Sequence, residues 1–388
     1  MTDQVMTSRS SRFSWPAGAI LRLHSARIGE QQLLLVAGCS PHSLSIYDGS
    51  NSAEPKLLTK LDLGPVSDVL VHNEWCYACS ADKGVVAIDL SKPEVAKVVH
   101  EWGAELPALP CSIGILAPND TSTSHRLAVA LRALPTETTE ELLIEGHASS
   151  AWEGPPADSA RAVETEGDLG LPVVEHRFGD EECGFFQVGY RAYPKLNQLR
   201  FVGYHQPWEV ATMGSHAFVA AGRSGLFFYD LSRLHLKEPG LEHCPGPRVR
   251  GVKAAGRHII VTGDGELPKG EKASGVIILD YSNTALPTPV YPWKVDGLQQ
   301  AVRSQLFADG LLVLEPKALC FYYLPDFALP RLAIRHSFNV KVTDIATLGE
   351  CIYVASEEGK IMKLRIKLSE YVGATPSVEL LGTISAEE

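Results

Sequence analysis

No apolar run in these 388 residues approaches the ~18 that a membrane-spanning helix needs. The N-terminal residues hold no apolar segment of secretory-leader length, so no leader is expected. No stretch of five Lys or Arg occurs, which argues against a nucleic-acid surface, because phosphate recognition needs a clustered basic excess. Among the 13 histidines there is no H-E-x-x-H and no pair at helical spacing; His24, His42, His100, His205 and His258 fall on separate strands or loops. Gly222–Arg223–Ser224–Gly225 falls short of a nucleophile elbow, and Gly263–Asp264–Gly265 opens no phosphate-binding loop. Cys76 and Cys79 form a C-x-x-C without the second Cys or His pair that zinc requires. Within a strand these two thiols point to opposite faces. Neither a metal nor a cofactor is therefore expected, and the eight scattered cysteines read as reduced, buried thiols of a cytoplasmic protein.

Apolar residues make up 45% of the chain, enough for a large core. The formal charge of −11 is local. Residues 135–182 carry 13 acidic and 2 basic side chains, and outside them the acids and bases balance at 33 each. This segment, rich in Glu, Thr, Ser, Ala and Pro, is expected to be a partly disordered acidic insertion, since it has too little apolar surface to offset the entropy of ordering it.

The remainder repeats. A short apolar run ending in Asp-x-Ser occurs at residues 84–91 (GVVAIDLS), and again at 43–50, 225–232 and 275–282. The pattern predicts a strand that stops on an Asx turn, its Asp accepting the N–H two residues on. Aligned anchors fall at Asp48, Asp89, Asp230, Asp280, Tyr323 and Leu364, with spacings of 41, 141, 50, 43 and 41 residues. Around each anchor lie four short β-patterned segments, and such a period indicates a β-propeller. The long interval is read as one divergent unit with strands near 111–116, 127–132, 184–190 and 198–204, interrupted by the acidic insertion. The expectation is an all-β, seven-bladed propeller over residues 18–388 with an acidic insertion in blade three, preceded by a tail at 1–17. Residues 377–382 supply the last outer strand.

The unit, with its best copies at Asp68–Val69, Tyr77–Ala78, residues 85–93, Phe218–Val219–Ala220 and Ile352–Tyr353–Val354–Ala355, resembles the LVIVD-repeat propellers, relatives of the WD40 and YVTN types. The resemblance covers most of the chain outside the insertion. It implies a scaffolding or ligand-binding role, although many members are exported and this chain lacks a leader.

Aligning the innermost strands places Asp68, Glu209, Gly251, Arg303 and Asp344 at equivalent positions beside the central channel. Two readings follow. In the first, the charges pair with one another and with backbone N–H groups as a plug, and the chain is an intracellular scaffold. Its loop faces bind a protein or peptide through His205, Trp208, Arg248 and Arg250, because Trp and Arg dominate binding energy. In the second, Asp68, Glu209, Arg303 and Asp344 are catalytic groups of a metal-independent hydrolase, lyase or cyclase, with His42 or His205 carrying the proton. A monomer without a nucleic-acid partner is expected in either case.

Overall fold

The computed structural model describes residues 20–38, 44–50, 55–102, 109–116, 126–132, 160–163, 173–176, 184–189, 208–214, 216–220, 222, 225–230, 241–244, 248–266, 272–281, 288–289, 300–324, 330–367 and 377–385. They form a β-propeller. Sheet one contains Ile20–Ile28, Gln31–Gly38, Leu44–Asp48 and Lys56–Leu61; sheet two contains Val66–His72, Trp75–Ser80, Gly84–Asp89 and Lys97–Glu101. Sheet three contains Leu109–Leu116, Arg126–Arg132 and Gly184–Gly189. Sheets four to seven begin with Glu209–Met213, Arg248–Ala255, Arg303–Phe307 and Val342–Leu348, and each adds three further strands in chain order. All pairings are antiparallel.

The first strand of every sheet is innermost. Each of these strands packs against the next, and Val342–Leu348 packs back on Ile20–Ile28. The buried apolar residues lie between consecutive sheets, so the core is a series of interfaces and not one central mass.

The expected count of seven blades is corrected to six four-stranded ones among the described residues. Six sheets have four strands, and the place between sheets two and four is taken by a three-stranded sheet. Its expected fourth strand, near 198–204, lies outside the described residues. The expected 135–182 insertion also lies mostly outside them. Within it two short strands the sequence reading did not assign, Ala160–Val163 and Val173–His176, pair as a hairpin. The last outer strand is Ser377–Ser385, at the expected place.

The Asx turns form where the side chains are described. Ser50 N–H donates to Asp48 Oδ1 at 2.8 Å, and Ser91 N–H to Asp89 Oδ1 at 2.9 Å. Accepting these bonds holds both carboxyls below their ordinary range. The Asp280 carboxylate lies 3.6 Å from Arg257, and its expected partner Ser282 lies outside the described residues.

In six sheets the hairpin between first and second strands turns over two residues, the first of which takes positive φ: Gly29, Asn73, Gly214, Gly256, Ala308 and Gly349. Ala308, at φ 49°, is the one residue of this set with neither glycine's freedom nor asparagine's tolerance of the left-handed region. Ala308→Gly removes a left-handed penalty of about 1–2 kcal/mol and adds unfolded-chain entropy of about 0.4–1 kcal/mol. We expect a net stabilisation of about 0.5–1 kcal/mol by urea unfolding. Loss of stability would mean that the Ala308 methyl packs.

Candidate functional site

A short quartet stands at or just before the start of each inner strand: apolar–x–X–apolar at 20–23, 66–69, 110–113, 207–210, 249–252 and 342–345, and at 301–304 the same pattern except that Ser304 takes the last place. In five of them the second residue is an extra one, opposed by no residue of the neighbouring strand: Leu21, Ser67, Cys111, Arg250 and Thr343. Such a bulge re-aims the residue that follows. In the other two, Trp208 and Val302 donate their N–H to Ala220 and Leu314, the residues paired with Glu209 and Arg303. The third positions, Arg22, Asp68, Ser112, Glu209, Gly251, Arg303 and Asp344, therefore share one level of the seven inner strands.

These side chains bond from sheet to sheet. Asp68 Oδ2 accepts the N–H of Ile113 at 3.0 Å and the hydroxyl of Ser112 at 2.6 Å. Ser112 Oγ accepts the N–H of Val210 at 3.1 Å, Glu209 Oε2 that of Val252 at 2.9 Å, and Asp344 Oδ2 that of Leu23 at 2.8 Å. In every case the acceptor at the shared level reaches the N–H of the fourth quartet residue in the next sheet. Gly251, Arg22 and Arg303 offer no side-chain acceptor, so the pattern is interrupted after them. Gly251 is required where it stands, since a Cβ would meet Thr262 Oγ1 and lie 3.1 Å from Glu209 Oε2.

A second tier lies one residue earlier. Ser67 donates to the carbonyl of Pro110 at 3.1 Å, and Thr343 to that of Ile20 at 2.7 Å. Again each bond runs to the next sheet.

Arg22 crosses the axis. Its Nε donates to Asp68 Oδ1 at 2.7 Å, and its Nη1 lies 2.9 Å from Glu209 Oε1 and 3.9 Å from Asp344 Oδ2. One guanidinium thus touches sheets two, four and seven. Arg303 Nε lies 3.6 Å from Asp344 Oδ1, with Nη1 donating to the carbonyls of Arg250 and Val302, and Lys253 Nζ lies 3.2 Å from Glu209 Oε1. Three carboxylates face three cations, and the cluster is formally neutral. Glu209 is 1% exposed, Asp344 2% and Arg22 4%. Burial works against each charge, but the partners prevail. Asp68, Glu209 and Asp344 hold Arg22 firmly protonated, while Lys253, Arg22 and Arg303 hold the Glu209 carboxyl far below its usual range.

Of the residues singled out from the sequence, Asp68, Glu209, Arg303 and Asp344 are brought together here. His42 and His205 lie outside the described residues, as does the side chain of Arg248. Trp208 is 40% exposed and Arg250 half-buried, both at bulge-level positions of adjacent sheets. The Trp208 indole lies over Gly222, where a Cβ would come within 2.8 Å of its Nε1, and the Gly222 backbone pairs with Val249 beside Arg250. Cys76 and Cys79 are buried on opposite faces of sheet two, and burial raises both thiols. Among the described residues no His, Cys, Asp and Glu cluster of metal-binding form occurs, and no helix is long and apolar enough to cross a membrane.

Arg22, Ser112 and Lys253 were missed. The quartets Ile20–Leu21–Arg22–Leu23 and Pro110–Cys111–Ser112–Ile113 carry the signal, but the alignment of inner strands did not include them.

No protein-family model matches the chain, and no curated protein matches it. Solved structures do. The Pan2 WD40 domain of Neurospora crassa is similar with a TM-score of 0.52 at 10% identity, over 88% of this chain and 87% of that one. The computationally designed protein Ika8 is similar with a TM-score of 0.50 at 10% identity, over 89% of this chain and 95% of that one. At such identity the likeness is one of fold.

Proposed function

We propose that this chain is an intracellular, cytoplasmic scaffold that binds a protein or peptide partner through the loop face bearing Trp208 and Arg250, with His205 and Arg248, close to them in the chain, also taking part. The propeller fold, shared with a WD40 domain, is consistent with a scaffold role. The observation that carries the reading is the state of the axial charges. A catalytic carboxylate needs a lone pair facing substrate, whereas Asp68, Glu209 and Asp344 already accept backbone or guanidinium bonds while almost wholly buried. A substrate would have to displace a buried, formally neutral ion-pair cluster. The mouth around it instead presents an aromatic ring seated on backbone, and a rigid ring loses little entropy on binding.

The three-stranded sheet is read as the seventh blade. Its inner strand sits between those of sheets two and four, and Ser112 continues the inter-sheet bonding. The LVIVD likeness is kept at the level of the repeat residues named above.

The test is affinity capture from the native cell with the full chain, compared with Trp208→Ala/Arg250→Glu and with a control substitution, Glu30→Ala, at the opposite ends of the inner strands. We expect a partner retained by the control and lost by the double variant, with unchanged thermal unfolding. Equal capture by all three would remove the mouth as the binding face.

A further inference from the structure

We propose that His24 makes the junction between sheets one and two an acid-sensitive seam, which loosens between pH 7 and 5 while the other junctions stay closed. The geometry singles out this junction. Arg22 stands where Asp68, Ser112, Glu209 and Asp344 accept an N–H from the next sheet, and a guanidinium cannot accept. Val69 N–H turns instead to its own Asp68 Oδ1, at 3.0 Å. The missing acceptor reappears two residues along the strand, on the same side of the pleat: His24 Nε2 accepts the N–H of Val71 at 3.3 Å. Only a neutral imidazole can do this. Carboxylates and the Ser112 hydroxyl make the corresponding bonds elsewhere, so among the described acceptors His24 alone is of a type that ordinarily gains a proton near neutral pH.

The surroundings set the direction. Burial first, then Lys253 across the axis, lowers the proton affinity of His24; Asp68 opposes them and Arg22 adds to them, and the result is about 4. The strands packed against Ile20–Ile28 also bring His72 from sheet two, and Asp344, Cys351 and Tyr353 from sheet seven. Asp344 is already committed to Leu23 and the two guanidiniums. A proton on His24 would turn an acceptor into a donor facing a donor, and would add a cation beside two others.

The sign follows from linkage. Above pH 6.5 neither the closed nor the open junction binds a proton at His24. Between 6.5 and 4 only the open one does, so opening is favoured as the pH falls. From pH 7 to 5 the open fraction rises about 20-fold.

Amide hydrogen exchange on the full chain, corrected for the intrinsic pH dependence, tests this. Protection at Val71 is expected to fall about 20-fold between pH 7 and 5, with Ile113 and Val252 changing less than threefold. His24→Gln keeps a carbonyl acceptor at every pH, and its Val71 protection should be flat. An acid loss at Val71 that survives in His24→Gln, or an equal loss at Val252, would overturn the proposal. Should His24→Gln fail to fold, the imidazole titration of the unaltered protein decides by NMR. A midpoint below 5 supports the seam, and one above 6 sinks it.

Discussion

Arg22→Ala is expected to destabilise the protein by about 3–5 kcal/mol, the usual cost of stripping one partner from a buried ionic cluster. The substitution leaves Asp68, Glu209 and Asp344 converging without the cation that touches all three. Arg303→Ala removes a side chain that is 17% exposed, meets Asp344 at 3.6 Å and otherwise bonds to carbonyls. Its cost should be nearer 1–2 kcal/mol, roughly one or two net hydrogen bonds. The two variants are to be compared by urea unfolding at pH 7. If Arg303→Ala proves as damaging as Arg22→Ala, the guanidinium across the axis is not the keystone of the cluster.

A pH arm adds discrimination. Glu209 ionises far below its unfolded value, so it contributes stability above the ordinary Glu range, near pH 4.3, which is lost as the pH falls toward the folded value. Removing Arg22 weakens that depression. The acid-unfolding midpoint of Arg22→Ala should therefore shift to higher pH, beyond the shift that lower overall stability produces in a core variant matched for destabilisation.

The second large effect is expected at Trp102. This residue follows the last strand of sheet two, is fully buried, and donates its N–H to the Val85 carbonyl at 2.8 Å. It packs with Tyr77, Val85 and Ala87 of sheet two against Ile113, Leu127 and Val129 of sheet three, and His100 meets its ring edge-on at 4.7 Å. The indole is the largest side chain of this inter-sheet cluster and so carries much of what holds sheets two and three together. Trp102→Ala should cost about 3–5 kcal/mol, as large-to-small changes at rigid sites do. The loss should be felt first in exchange of the amides at 109–116 and 126–132. Trp102→Phe should cost far less, because the buried Nε1 has no hydrogen-bond partner among the described residues. A cost below 1 kcal/mol for the alanine variant, or uniform loosening of all sheets, would contradict this account.

Much of the fold was legible because its punctuation is chemical. Asp48 and Asp89 end strands by accepting the N–H of Ser50 and Ser91, a local bond whose residues can be read directly. The aligned level was legible in part. Asp68, Glu209, Arg303 and Asp344 stand out as charges inside apolar strands, where a charge demands a partner. Ser112 occupies the same level without a charge, and Arg22 lies on a strand that the alignment did not include. That Arg22 spans the axis is a matter of reach in three dimensions, and no spacing along the chain encodes it. Three strands of sheet three were legible across the long insertion, because Leu109–Leu116, Arg126–Arg132 and Gly184–Gly189 each carry their own apolar β-pattern.

The direction of the inter-sheet bonds bears on how substitutions combine. Ser67, Asp68, Ser112, Glu209, Thr343 and Asp344 all reach forward by one sheet. Energetically the propeller thus resembles a closed one-dimensional lattice with nearest-neighbour coupling, and lesions at non-adjacent junctions should add. Arg22 is the exception, since through Glu209 it ties sheet one to sheet four, which is not its neighbour in the ring. A double-mutant cycle between Ser112 and Asp344 should therefore close near zero, while cycles through Arg22 should not. In this lattice one side chain supplies the long-range term.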